Sequence, residues 1–362
     1  MNAAVLVLAA AWLGLQTAAA QDLPQLPCGD ADRACAQRAM ARHPVSRIDG
    51  WSQARALPAV QRIGAAPAPL VEYLRLDNIV NGFAERPRAA TPEAGFVADV
   101  QAAIAGLPPQ VWRFFDTRLL GIYFVENLGG TGYTDVVMDA AGRPVAGYVV
   151  LDAIVLGRHS ANAWASWKEN TPFRPSAEFR LEARIEDDAG DNRVNAIQYI
   201  LLHELGHVLS IGADIHPPWN QPASATADTA RYPYFDLSWK FDRRSARYLS
   251  RFDPQFPQRA RVVYYFGARL AASEMVPTYA NLEKTNFPSL YAATRPGDDF
   301  AEAFASYVHV VLMKRPWEIR LFHHGSMVKA FKSCWELPRC APKRRLLEQL
   351  LARPANRRRR WR

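Results

Sequence analysis

The chain is 362 residues long, 49% apolar and 22% charged, with a formal net charge of +9. That balance belongs to an ordinary soluble globular protein; it excludes a chain too polar to bury a core and one apolar throughout. The length allows one large domain with appendages, or two domains.

Met1 to Ala20 is an apolar run ending in Ala18-Ala19-Ala20. It reads as a secretory signal peptide (1–20) with a small-residue cleavage site, although it lacks the usual Lys or Arg near its start. As a membrane anchor it is short of a comfortable span. The four cysteines fall in two close pairs, Cys28/Cys35 and Cys334/Cys340. In the oxidising compartment that an exported chain meets, two local disulfides are the expected pairing among the three possible.

Residues 21–75 mix Pro, Ala and Arg and are expected to form an N-terminal arm draped over the main domain. Thr91-Pro92-Glu93 opens a helix that Pro108-Pro109 stops, and Gln110 to Leu119 is expected to form another. Leu120 to Glu126, Val145 to Leu156 and Phe179 to Glu186 read as strands of a small sheet. Trp164 to Phe173 is expected to cross between sheets, line a cleft or pack in the core.

Val194 to Ile211 (VNAIQYILLHELGHVLSI) is the most informative stretch. Leu201, Leu202, Leu205, Val208 and Leu209 recur at helical spacing; Asp191 and Asn192 can cap the start, and Gly212 suits a left-handed stop. Residues four apart share a helix face, so His203 and His207 can present two imidazoles to one metal ion. Glu204 follows about 100° round the helix, near enough to meet a water in an open metal position. With eight histidines in the chain, H-E-x-x-H arises by chance only about 0.007 times. The competing reading is a buried helix whose histidines are merely hydrogen-bonded.

A catalytic zinc site takes three protein ligands and one open position. His216 does not meet the metzincin pattern, because Ser210 and Ala213 stand where its Gly and third His belong. Asp214 is an aspzincin-like candidate at a loose spacing. Glu302, in RPGDDFAEAFASYVHVVL, is the expected third ligand. Asp298 and Asp299 can cap that helix, while Phe300, Phe304, Tyr307 and Val311 form an inward stripe among which an unpaired carboxylate would be costly. An exposed glutamate, or one bonded to an arginine, is the alternative. Asp299 reads either as a cap or as an acceptor orienting His203 or His207.

HELGH followed about 100 residues later by DDFAEAFA resembles the gluzincin metallopeptidases, especially those with a lethal-factor-like catalytic domain, over residues 115 to 315. The resemblance implies an α+β, zincin-like domain (76–330) with a small mixed sheet. It also implies zinc (Zn2+) held by His203, His207 and Glu302, with Glu204 as general base. A tyrosine shortly before the third ligand would bind the oxyanion; Tyr291 is the nearest match and Tyr279 the runner-up. In gluzincins an edge strand of the sheet pairs with an extended substrate, but the sequence does not say which strand that is.

Between the motifs, Pro217 to Thr229 reads as a surface loop, and the basic-aromatic stretch 231–251 as a helix with one solvated and one packed face, with binding of an anionic polymer as the alternative. Residues 331–362 are expected to be a disulfide-stapled basic tail. Positions 343–362 carry nine Lys or Arg against Glu348 alone, so an arm adhering to an anionic envelope surface and a solubilising tail are both open readings. The expected function is a secreted or periplasmic zinc-dependent endopeptidase, monomeric, acting on a peptide or protein and without a specific nucleic-acid partner. The alternative is a non-catalytic zinc-retaining binding protein, or an envelope-adhesion protein using the tail.

Overall fold

The computed structural model describes residues 26–58, 61–112, 118–226 and 228–352. The signal-peptide stretch 1–20, part of the helix expected at 110–119 and the arginines at 357–360 lie outside the described residues.

The architecture is mixed α+β, with small sheets between helices. β1 (Ile63–Ala65), β2 (Arg88–Ala89), β3 (Leu119–Glu126), β4 (Gly132–Met138) and β5 (Pro144–Asp152) form one sheet in the order β1-β3-β5-β4, with β2 also paired to β3. β3 runs parallel to β1 and β5, and β4 antiparallel to β5. The sequence of β3 and β5 is almost continuously apolar because both faces are covered. Ile122, Phe124, Val149 and Leu151 enter the main core beneath the helix Arg193–Ser210. Val125, Tyr148 and Val150 enter a second core with Leu70 and Leu74 of the helix Ala68–Asn81.

That second core corrects the arm expected at 21–75. β1 belongs to the central sheet, and the boundary at 75/76 falls inside the helix Ala68–Asn81, whose apolar side needs the sheet to cover it. The strand expected to run to Leu156 ends sooner. The Asp152 carboxylate accepts from the backbone N–H of Ile154 and Val155 at 3.0 and 2.9 Å, and so caps a short helix, Ala153–Gly157. Trp164 to Phe173 is largely a helix, Ala161–Asn170, with Trp164 in the core.

β6 (Phe179–Arg184) is the first strand of the second sheet. The stretch expected as a helix at 231–251 instead forms a short helix, Pro233–Asp236, and a hairpin of β7 (Trp239–Asp242) and β8 (Arg247–Ser250). Trp239 and Phe241 alternate with Lys240 and Asp242, a period of two rather than of helical turns. The Asp242 carboxylate accepts from the Ser245 N–H to close the turn. β9 (Glu318–His323) and β10 (Ser326–Lys332) complete the second sheet in the order β10-β9-β6, antiparallel throughout.

Cys28–Cys35 and Cys334–Cys340 are both disulfide-bonded, which fits an oxidising, extracytoplasmic environment. Among the described residues no helix is long and apolar enough to cross a membrane. The segment from 331 is no detached tail: β10 spans that boundary, and the helix Ala341–Ala352 buries Lys343 completely in an ion pair with Asp299.

Candidate metal centre

The helix Arg193–Ser210 starts where the Asn192 side chain accepts from the Asn195 N–H at 3.0 Å, and the chain turns away through Gly212 at φ +63°. Arg193 ties the first turn to Asp99 at 2.6 Å, and Arg118 donates to the carbonyls of Leu209 and Ile211 at the other end. Held at both ends, this helix lies against a second one, Pro296–Tyr307. Gly206 makes the close approach possible: a Cβ there would stand 2.8 Å from the Ala301 Cα.

The crossing brings three donor groups together. His203 Nε2 and His207 Nε2 are 3.1 Å apart, and Asp298 Oδ1 is 3.6 Å from His207 Nε2. One ligand atom from each of His203, His207 and Asp298 falls within 4.8 Å of the others. Thr294 Oγ1 donates to the other Asp298 oxygen at 2.9 Å and steadies the carboxylate.

Glu302, expected as the third ligand, takes a different place. Its Oε1 lies 3.1 Å from His203 Nδ1, on the opposite edge of the ring from Nε2, and 2.8 Å from Lys168 Nζ, while Oε2 accepts from Ser289 Oγ at 2.7 Å. Glu302 is not part of the group whose ligand atoms gather within 4.8 Å of one another, which is His203, His207 and Asp298. Burial alone would raise the Glu302 carboxyl, but Lys168 and His203 outweigh it and hold the group well below the usual carboxylate range. Burial likewise lowers His203, and the Glu302 carboxylate reverses the sign and raises it. His207, largely desolvated and facing His203 and His216, is lowered well below its ordinary value.

Glu204 sits against β4. Its Oε2 accepts from Thr134 Oγ1 at 2.7 Å, and its Oε1 passes so near Gly132 that a Cβ there would be 2.5 Å away. Burial pushes the Glu204 carboxyl up to about 6, against the opposing pull of His203 and Thr134. β4 is the edge of its sheet, and beyond β5 its only strand-like contact among the described residues is a bridge from Arg47 to Met138 at the far end.

No protein-family model, no curated protein and no solved structure matches this chain.

Of the two tyrosines considered, Tyr291 has its ring 5.4 Å from that of His203, with Lys168 Nζ 4.5 Å from its own centroid. Burial, then the carboxylates of Asp298, Glu204 and Glu302, hold its phenol protonated. Tyr279 is fully buried and donates to Glu169 at 3.0 Å. Asp299 points elsewhere too: it accepts from Trp239 Nε1 at 3.0 Å and pairs with Lys343, so it orients neither histidine. Asp214 pairs with Arg231, and the His216 Nδ1–H donates to the Pro217 carbonyl at 2.8 Å.

Sequence reasoning missed Lys168, Thr134 and Ser289. Lys168 stands three residues beyond Ala165 on a helix that carries the core residue Trp164, and nothing in its neighbourhood in sequence points to Glu302. In the sequence Asp298 reads only as a helix cap. A cavity of about 870 Å³ opens beside the C-terminal end of the motif helix, lined in part by His216, Trp219, Arg118 and Arg231.

Proposed function

We propose that this chain is an exported, zinc-dependent endopeptidase with a zincin-like catalytic domain, akin to the gluzincins. The observation that carries this reading is the meeting of two imidazole Nε2 atoms and the Asp298 carboxylate beside a buried glutamate on the next helical position. Two ligand atoms each about 2.1 Å from one tetrahedral ion stand roughly 3.4 Å apart, which suits the 3.1 and 3.6 Å separations here. Two imidazoles and one carboxylate also match zinc's preference for nitrogen and oxygen donors. The residues that would hold the ion are therefore His203, His207 and Asp298, with Glu302 beside His203 Nδ1 as the charge that orients its ring. When bound, zinc supplies Lewis-acid polarisation of a water and of the scissile carbonyl.

The chain's own residues do the rest. Glu302, 3.1 Å from His203 Nδ1, would orient that ring by charge attraction and leave the Nε2 lone pair for the ion. Lys168 keeps Glu302 ionised in a site otherwise hostile to charge. Glu204, with a carboxyl pushed up to about 6, is matched to general-base work near neutral pH. It takes a proton from water as the hydroxyl adds to the carbonyl carbon, and returns it to the nitrogen as the C–N bond breaks. The protonated Tyr291 phenol is the proposed hydrogen-bond donor to the oxyanion. The open edge of β4 supports an extended peptide pairing along it, and the cavity by Trp219 gives room for a substrate side chain. The basic residues beyond Ala352 are proposed as an arm for anionic envelope surfaces.

The test is Glu204→Gln. The variant should keep one equivalent of zinc at this site and lose peptide hydrolysis by roughly 100-fold or more. Undiminished hydrolysis, or a wild-type protein that binds no zinc through His203 and His207, overturns the reading.

A further inference from the structure

The tip of the β9–β10 hairpin carries two of the chain's eight histidines, His323 at the end of β9 and His324 in the turn, and the centre on the motif helix uses neither. We propose that His323, His324 and Glu178 form a second, surface cation site for a borderline divalent metal such as Zn2+, Ni2+ or Cu2+. One ligand atom from each of the three lies within 4.8 Å of the other two.

The backbone sets these groups in place. β6 pairs antiparallel with β9, so Phe179 lies directly opposite His323, and the two rings stack with centroids 4.4 Å apart. The His324 N–H donates to the Glu178 carbonyl at 2.8 Å, which draws the residue before β6 onto the hairpin tip. The rings of His323 and His324 are 4.3 Å apart. His324 and Gly325 are both left-handed, at φ +47° and +80°, as a two-residue hairpin turn requires. Asn, Asp or Gly ordinarily fills the first of these positions, so a histidine there is uncommon. Its effect is to set a second imidazole beside the first.

The donor set selects the ion. Calcium and magnesium take oxygen ligands, whereas two imidazoles and one carboxylate favour borderline transition metals. Glu178 and His324 are exposed, so a hydrated ion reaches them directly. Much of the ordering entropy is already met by strand pairing and ring stacking, which favours binding by a preorganised trio. A bound ion would fasten the start of β6 to the β9–β10 tip and close that end of the sheet, which packs on the helix bearing Lys168.

The test uses the untagged full chain, stripped with chelator and dialysed against micromolar Zn2+, with metal counted by mass spectrometry. The doubly substituted His323→Ala/His324→Ala protein should bind one ion fewer than wild type, with an unchanged circular dichroism spectrum. The Glu178→Gln protein should bind that ion more weakly by upwards of about tenfold, the lower end of what losing even an outer partner costs a metal site. The His203→Ala/His207→Ala protein should retain the hairpin ion; should it fail to fold, the wild-type comparison with the hairpin variant still decides. Equal metal content in wild type and the His323/His324 variant overturns the site. That comparison counts a difference of one ion, so it stands whether or not the centre on the motif helix binds zinc.

Discussion

Glu302 Oε1 lies 3.1 Å from His203 Nδ1, on the far edge of the imidazole from the nitrogen that faces His207. On the proposed metal centre Glu302 would therefore act through His203, while Asp298, one helical turn earlier and 3.6 Å from His207 Nε2, would supply the carboxylate ligand.

This arrangement separates two substitutions on one helix. Glu302→Gln should weaken zinc binding by about 10- to 100-fold, the cost of losing an orienting partner, while the ion count at saturation is unchanged. Asp298→Ala removes the proposed carboxylate ligand and should abolish binding at micromolar zinc. Zinc titration against a chromophoric chelator reads both. If the Glu302 variant were the one that lost the ion outright, the assignment of Asp298 would be wrong.

Gly206→Ala should drive the two site helices apart. The new Cβ meets the Ala301 Cα at 2.8 Å and its carbonyl oxygen at 3.2 Å, and backbone cannot swing aside. Overpacking of this kind costs about 1–3 kcal/mol, against up to about 1 kcal/mol recovered in helix propensity. Thermal unfolding should move down by several degrees and zinc affinity should fall with it, because Asp298 rides on the displaced helix. An unchanged midpoint refutes the contact's importance.

Gly132→Ala makes the opposite kind of clash. Here the new methyl meets the end of the Glu204 side chain, at 2.5 Å, rather than backbone. The fold and zinc content should survive, and the carboxylate should shift off its Thr134 hydrogen bond. Peptide hydrolysis falling by roughly tenfold or more at constant zinc content is the expected result; wild-type turnover would show that Glu204 does not need its present position.

A pH effect follows from Asp77 beneath β4. Burial, then the Asp135 charge, pushes its carboxyl up to about 7. The native state holds this proton to a higher pH than the unfolded chain does, so the group's contribution is fully present below about pH 4. It is lost as pH rises through about 7. Asp77→Asn should raise the unfolding midpoint slightly at pH 5, where only the unfolded carboxyl has ionised, and by several degrees at pH 8. Equal midpoints for both proteins at pH 8 would show the carboxylate to be solvated in the native state.

The sequence by itself determined what local geometry controls. A repeat of apolar residues, an Asn cap and a Gly stop are enough for the helix Arg193–Ser210, and four-residue spacing alone puts His203 and His207 on one face. The disulfides followed from proximity along the chain and from compartment chemistry. Tertiary structure decided the rest. Asp298 and Glu302 are four residues apart and share a helix face, so periodicity treats them alike. Which of them reaches the Nε2 atoms depends on how the two helices cross, and the Gly206–Ala301 contact, nearly a hundred residues apart in sequence, sets that crossing. The same holds for β4, a strand short of apolar alternation that becomes an edge beside Glu204 only once β5 has paired with it. Lys168 becomes legible only when folding buries it against a carboxylate, because the cost of an uncompensated charge is a property of the packed interior and not of its neighbours in the chain.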